Sequence, residues 1–350
     1  MSFEKPSFRH PKLAKNSAGY ARKDYEGAIS TLCAGCGHDS ATTAIIQACF
    51  ELGVEPHRVA KMSGIGCSSK TPAYFLGKSH GFNSVHGRMP SIATGANMAN
   101  RDLLYIGISG DGDTASIGMG QFAHALRRNL NLNYICMNNG CYGLTKGQDS
   151  ATADMGSAGK RGTPNPYSSI DLCELAIELG ASYVARGFSG DKQQLVPLIK
   201  GAFAHSGLAF IDVISPCVTF NNTATSTKSY QYVREHIEAT NTFDFVPLQQ
   251  EILASYDEGT SQEVVMHDGS IIHLHKSEST ADVTDRLRAV NNLEEEKAQN
   301  RLLTGLLYVN QDITDTHDII NSTLRPLNSL TEEDLCPGNR SLEEINESLR

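Results

Sequence analysis

No apolar run in this sequence approaches the roughly 20 residues that a bilayer-spanning helix needs. The longest, such as 103–108, have the length of strands. Residues 1–30 carry basic side chains but no apolar core of the kind found in a secretory signal, so a cytoplasmic location and no membrane partner are expected. Two familiar phosphate loops are also missing. There is no G-x-x-x-x-G-K-[ST], and "GIGCSSK" at 64–70 puts Ser69 where G-x-G-x-x-G needs its last glycine. NTP hydrolysis and NAD-dependent hydride transfer drop away as readings. Nothing resembles a basic stripe, so no nucleic acid is expected as a partner. Internal repeats and low-complexity tracts are absent as well.

What is present has the composition of a soluble globular protein: 350 residues, 40% apolar and 20% charged. The net charge of -9 is unevenly spread, since residues 241–350 hold 8 of the 30 Lys/Arg but 21 of the 39 Asp/Glu. An N-terminal arm (1–26), a main domain (27–240) and an acidic C-terminal extension (241–350) are the expected divisions, the extension reading as a solvated, partly irregular appendage.

Within the main domain short β-prone runs at 59–62, 103–109, 133–137, 183–186 and 209–214 alternate with helical patterns. Such alternation predicts an α/β fold with a doubly wound, mostly parallel sheet covered on both faces. The helical patterns are "HDSATTAIIQACFELG", "SIGMGQFAHALRRN", "DLCELAIELG" and "QQLVPLIKGAFAHSG", three of which end at Gly, a common helix terminus. In the extension, "EVVMHDGSIIHLHK" predicts a β-hairpin turning at Asp268-Gly269, and "LLTGLLYVN" one further strand.

In a doubly wound sheet ligands collect at the carboxyl ends of the strands. "GDGD" at 110–113 follows one predicted strand and "NNGCYGLTKGQ" at 138–148 follows the next, with one helix between them. Such a crossover brings Asp111 and Asn139 to the same edge. A carboxylate and an amide oxygen there make a hard, oxygen-rich site suited to Mg²⁺ or Ca²⁺, with phosphates completing the shell. Gly110 and Gly112 let backbone approach a phosphate, and a helix starting near Thr114 aims its N-terminus the same way. A metal-bridged diphosphate is the chemistry this implies; an ordinary Asp-Gly turn and an unrelated Asn-Gly turn would share the local sequence.

Nine cysteines in a reducing compartment suggest metal or catalysis before disulfides. "CAGCGH" supplies a C-x-x-C at Cys33 and Cys36, a spacing used for both zinc and iron-sulfur clusters. Two more thiolates would close the site, and Cys67 in "GIGCSSK" and Cys217 in "SPCVTF" lie in loop-like contexts. Cys49, Cys136 and Cys173 fall inside helix or strand patterns and read as buried, inert thiols. Spacing alone leaves zinc and iron-sulfur equally open.

Over about residues 20–240 these motifs together resemble the β subunit of the 2-oxoacid:ferredoxin oxidoreductases, most of all the 2-oxoglutarate type. "GDGD" followed by the Asn pair resembles the thiamine diphosphate motif, and "YGLTKGQ" is the more specific part. The resemblance implies Asp111, Asn139 and the Cys141 carbonyl as Mg²⁺ ligands. It implies a thiamine diphosphate site formed by Ile65, Gly66, Cys67, Ser68, His86, Gly110, Gly112, Asp113, Gly143 and Leu144. It assigns Cys33, Cys36, Cys67 and Cys217 to one [4Fe-4S] cluster, and Lys70 to contact with the carboxylate of a 2-oxo acid. Arg88 is expected to hold structure. His38, His124 and the C-terminal histidines have no motif behind them and read as ordinary surface or core residues.

The implied reaction converts a 2-oxo acid, coenzyme A and oxidised ferredoxin to acyl-CoA, CO2 and reduced ferredoxin, and it can run as a reductive carboxylation. An α subunit is implied as partner, in an (αβ)2 assembly, because thiamine enzymes need a glutamate facing the aminopyrimidine and the 27–218 region has room only for the diphosphate-side domain. Pyruvate or another 2-oxo acid would suit the same motifs. A cluster-free thiamine decarboxylase or carboligase would share Asp111 and Asn139 without a reason for the four cysteines, and an iron-sulfur carrier would keep the cysteines without the Mg²⁺ motif.

Overall fold

The computed structural model describes residues 13–157, 164–220, 226–229, 237–240, 261–265, 271–275, 282–299, 301–336 and 338–350. In chain order the strands are β1 (Val59–Ser63), β2 (His80–Asn83), β3 (Leu104–Gly110), β4 (Leu132–Asn138), β5 (Cys141–Tyr142), β6 (Gln148–Asp149), β7 (Tyr183–Phe188), β8 (Leu208–Ile214), β9 (Ile237–Thr240), β10 (Ser261–Val265), β11 (Ile271–His275) and β12 (Leu302–Val309). Eight of them form one sheet in the order β2-β1-β3-β4-β8-β7-β12-β9. From β2 to β7 every pairing is parallel; β12 runs antiparallel to β7 and parallel to β9.

The central strands β4 and β8 are buried along their whole length, as parallel strands covered on both faces must be. Alternate residues serve opposite layers. Tyr134 and Cys136 face α2 (Met89–Ala99), α3 (Met119–Arg127) and α4 (Leu172–Glu178), whereas Ile135 and Met137 face α1 (Gly37–Glu51) and α5 (Lys192–Ala204). The five runs read as strands are β1, β3, β4, β7 and β8. The four helical patterns are α1, α3, α4 and α5, and no helix among the described residues is long and apolar enough to cross a membrane.

One expected helix start differs. Directly after Asp111 the chain makes a π-helical turn, Gly112–Ile117, and α3 begins only at Met119. Gly118 marks the break, where the backbone passes so close to Gly87 and Asp113 that a Cβ would lie 2.5 Å from the Asp113 carbonyl. π-Helical turns often occur at functional sites.

The acidic extension contributes to the main sheet. Its β12 sits hydrogen-bonded between β7 and β9, and α6 (Arg286–Ala298) buries Ala289 and Leu293 against the same layer as α4. The predicted hairpin is present as β10 and β11, paired from Ser261↔His275 to Val265↔Ile271; its turn at Asp268-Gly269 lies outside the described residues. Beyond β12 the polar end forms short helices, among them one at Gly338–Ser348 with no buried residue.

Under the sheet a buried ion group ties α4 to β7 and β8. Arg186 reaches Asp171 at 2.5 Å and Asp212 at 3.1 Å, and Asp171 also caps α4 by accepting from the Cys173 and Glu174 amides. Burial works against charge on Asp171, but the Arg186 guanidinium and those two amides hold its carboxyl below the usual range.

Candidate functional site at the carboxyl edge of the sheet

Loops leaving β1, β3, β4 and β8 meet at one edge because those strands are parallel and adjacent. β3 and β4 pair with Gly110 beside Met137, so Asp111 and Asn139 emerge side by side. Asp111 is 2% exposed. Its Oδ1 accepts from the Asn139 amide at 3.3 Å, while Oδ2 accepts from the Ser150 hydroxyl, very closely, and from Thr152 Oγ1 at 3.0 Å. Burial pushes the Asp111 carboxyl up, and hydrogen bonds from Ser150, the Asn139 amide and Thr152 pull it back.

Asp113, one turn on, has a different task. Its Oδ1 accepts from His86 Nδ1 at 2.6 Å and from the Gly87 amide at 2.9 Å, and Oδ2 accepts from the Ile65 amide at 3.3 Å. This single carboxylate holds the loop after β1 and the loop after β2 to the π-helical turn. Gly64 is obligatory for that contact, since a Cβ there would fall 1.7 Å from Asp113 Oδ2.

A depression lies over these groups. Ile65, Gly66, Cys67 and Ser68 line it from the loop after β1, and Gly110, Gly112 and Asp113 from the turn after β3. Asn139, Cys141, Gly143 and Leu144 line it from the loop after β4, with His86 at its side. Every residue expected at a diphosphate is therefore on this lining. Lys70 is not: it is exposed on the short 3-10 turn Ser68–Ala73, near enough to Cys67 that its ammonium opposes the upward push of burial and of Cys217 on that thiol. Arg88 donates to Gln121 Oε1 at 3.0 Å.

The lining suits the groups expected there. Asp111, the Asn139 side-chain oxygen and the Cys141 carbonyl are hard oxygen donors of the kind Mg²⁺ takes together with phosphate oxygens. A side chain at Gly110 would run into Ser68 Oγ at 2.9 Å, and one at Gly112 into the Tyr142 ring at 2.4 Å. Both turns are thus held to bare backbone facing the depression. Among the described residues no three His, Cys, Asp or Glu side chains close on a single ion; of the two carboxylates on the lining, Asp113 is engaged by His86 and the Gly87 and Ile65 amides, which leaves Asp111 as the one facing the Asn139 loop.

The four selected cysteines gather at the rim. Gly35, at φ +80°, turns the C-x-x-C back on itself, with the Cys36 amide donating to the Cys33 carbonyl at 3.0 Å. Gly37 then lies flat on the segment after β8: its amide donates to the Pro216 carbonyl at 3.1 Å, and a Cβ would sit 2.6 Å from the Ser215 backbone. That contact brings Cys36 to Cys217. A Cβ at Gly143 would lie 3.6 Å from Cys67 Sγ and 3.8 Å from Cys217 Sγ, so this glycine leaves the space between two sulfurs open. Thr219 Oγ1 stands 3.9 Å from Cys33 Sγ. Burial pushes the Cys36 thiol up to about 11, and the nearby Cys217 and Cys67 add to the push.

Cys49, Cys136 and Cys173 are fully buried in the two core layers. His38 departs from the expectation of an ordinary residue. It is 2% exposed on the lining, its Nδ1 is 2.8 Å from Ser215 Oγ and its Nε2 is 3.4 Å from Asn139 Nδ2. The Cys141 thiol donates to Asn139 Oδ1 at 3.6 Å and lies near enough to Cys217 to hold that sulfur down to about 6 against burial.

Residues 64–213 match the model of the thiamine pyrophosphate enzyme C-terminal TPP-binding domain. The chain is 41% identical over 215 residues to the 2-oxoglutarate synthase subunit KorB of Methanocaldococcus jannaschii, covering 60% of this chain and 75% of that subunit. It belongs to the 2-oxoacid:ferredoxin oxidoreductase β-subunit family. The 2-oxoacid:ferredoxin oxidoreductase subunit beta of Saccharolobus solfataricus is 45% identical over 191 residues, 54% of this chain and 63%, somewhat under two thirds, of that subunit. Among solved structures, the 2-oxoglutarate:ferredoxin oxidoreductase from Magnetococcus marinus with 2-oxoglutarate, coenzyme A and succinyl-CoA bound superposes with a TM-score of 0.69 at 27% identity, covering 93% of this chain and 96% of that one. The matched domain runs from Gly64, at the head of the loop after β1, to Val213 on β8.

Proposed function

We propose that this chain is the β subunit of a 2-oxoglutarate:ferredoxin oxidoreductase. With an α partner it catalyses the reaction 2-oxoglutarate + CoA + 2 oxidised ferredoxin → succinyl-CoA + CO2 + 2 reduced ferredoxin + H⁺, reversibly. The observation that carries this reading is the adjacency of two sites on one edge: the Asp111/Asn139 oxygen site and, across Gly143, the sulfurs of Cys67 and Cys217. A carboligase has no use for the second site, and an electron carrier has none for the first. The relatives named for 2-oxoglutarate support this substrate over pyruvate.

In this reading Asp111, Asn139 and the Cys141 carbonyl hold Mg²⁺, and Cys33, Cys36, Cys67 and Cys217 hold a [4Fe-4S] cluster. Thiamine diphosphate when bound supplies an electron sink at the carbon that loses CO2, and the cluster supplies a one-electron relay. The remaining chemistry belongs to the chain. Gly110 and Gly112 present backbone to the diphosphate, with His86 beside it in an orientation fixed by Asp113. Lys70 stands at the rim as a cation for the substrate carboxylates, within reach of Cys67 but outside the depression.

The test is to co-purify the chain with its α partner without oxygen, assay bound thiamine, iron and sulfide, and follow viologen or ferredoxin reduction with 2-oxoglutarate, pyruvate, oxaloacetate and branched-chain 2-oxo acids. CoA-dependent reduction strongest with 2-oxoglutarate is expected. Thiamine without iron, or iron without thiamine, overturns the assignment; a preference for pyruvate overturns the substrate alone.

A further inference from the structure

We propose that Ser150 and Thr152 are positioning residues for the cation: their hydroxyls hold Asp111 by Oδ2, so that Oδ1 is the oxygen presented toward the Asn139 loop. This rests on the proposed function, which places a divalent cation at Asp111.

Neither residue belongs to the GDG or the Asn-Asn segment. They arrive because β5 and β6 fold the chain back on itself, after which the Ser150 amide donates to the Gly140 carbonyl at 3.2 Å. Two residues apart, with Ala151 between them, they present both side chains to the same neighbour. Ser150 is 6% and Thr152 1% exposed. Ser150 Oγ lies against Asp111 Oδ2, and Thr152 Oγ1 is 3.0 Å from that same oxygen and 3.0 Å from Ser150 Oγ. Oδ1, by contrast, accepts from the Asn139 amide at 3.3 Å.

Thr152 also connects the two halves of the site. Its Oγ1 is 2.9 Å from Asn138 Oδ1, which accepts from the Gly140 amide at 3.3 Å and so shapes the turn carrying Asn139 and Cys141. With a single proton the hydroxyl serves the carboxylate or the amide oxygen at any moment, and the charged acceptor makes the stronger bond. A carboxylate pinned on one oxygen loses rotation about its Cβ–Cγ bond. With the Asp113 carboxylate already engaged by His86 and two amides, the orientation of Asp111 decides where the cation can sit.

Loss of a partner that orients a metal ligand typically weakens metal binding by about 10–100-fold. The probe is Mn²⁺ in place of Mg²⁺, titrated with thiamine diphosphate into the complete αβ complex and read as free Mn²⁺ by EPR. Thr152→Val, nearly isosteric, and Ser150→Ala, one atom smaller, should each weaken Mn²⁺ by about ten-fold with iron content and melting temperature unchanged. Thr152→Ser, which restores the hydroxyl, should recover most of the affinity. A purely structural role would lower the melting temperature without moving Mn²⁺ affinity, and that result overturns the proposal. So does wild-type affinity in the Ser150→Ala/Thr152→Val double variant when Asp111→Ala has lost it. Wild-type affinity in Asp111→Ala instead defeats the cation reading itself, and the inference with it.

Discussion

Lys61 places an ammonium at a position of β1 that is 6% exposed. Its three protons meet three acceptors, the carbonyls of Pro72, Phe75 and Leu76 at 2.6, 2.6 and 3.0 Å, so it pins the far end of the turn that begins at Cys67. Burial lowers its pKa to about 8. The unfolded chain keeps that proton to about pH 10.4, so between pH 8 and that value the unfolded state binds more protons and stability rises with pH. Measured against Lys61→Met by denaturant titration, the contribution of Lys61 should be flat below pH 8 and grow by about 3 kcal/mol, to order of magnitude, by pH 10.4; a flat difference across that window would show that the folded chain holds this proton as firmly as the unfolded one and would contradict the lowered pKa. Two other substitutions address the proposed ligands. Asp111→Ala should abolish thiamine retention and leave iron nearly unchanged. Cys217→Ala should lose iron and sulfide under anaerobic preparation, whereas Cys173→Ala, in the helix core, should keep both; the reverse pattern in EPR of the reduced proteins would mean that another thiol closes the cluster. At this scale Asp111 and Asn139 were legible because each opens a motif at a strand end, and Cys33 and Cys36 because of their C-x-x-C spacing before α1; Cys67 and Cys217 stood only in loop-like contexts and were singled out by the family resemblance. Ser150, Thr152 and His38 were not, because a hydroxyl or a ring that acts through a neighbour 39, 41 or 101 residues away leaves no spacing to read.

Among the elements, α1 shows how a helix start can build a site. Its first residue, Gly37, is pressed onto Ser215 and Pro216 with no room for a Cβ. Gly37→Ala should lift the C-x-x-C turn off the segment after β8 and reduce iron per chain well below wild type, while thiamine retention, which depends on the loops after β3 and β4, changes less. Equal loss of both would show that the edge moves as one body. β1, β3, β4, β7 and β8 could be read as strands because burial on both faces demands short, largely apolar runs, interrupted here only at points such as Lys61, Arg186 and Asp212 whose charge is met inside the protein. β2, "HGFN", is exposed at every position on the sheet edge and carries no such signature. The π-helical turn after Asp111 was likewise illegible, since it ends where Gly118 passes against Gly87, 31 residues earlier in the chain, a contact that no local pattern announces.

For the molecule as a whole, the proposed function makes the chain half of an active site. Expressed without an α partner it should bind iron yet show no CoA-dependent oxidation of 2-oxo acids, and robust turnover by the isolated chain would refute the two-subunit reading. The pairing of β12 with β7 has a consequence for biosynthesis. Gly305 lies beside Arg186, 119 positions earlier, so a growing chain exposes β7 as an open strand edge until nearly all of it has been made. Pairings this distant form slowly, and unpaired edges recruit other chains. A chain released at residue 240 would carry every loop of the depression and all four rim cysteines, yet its hazard would be association through β7 rather than loss of any chemical group.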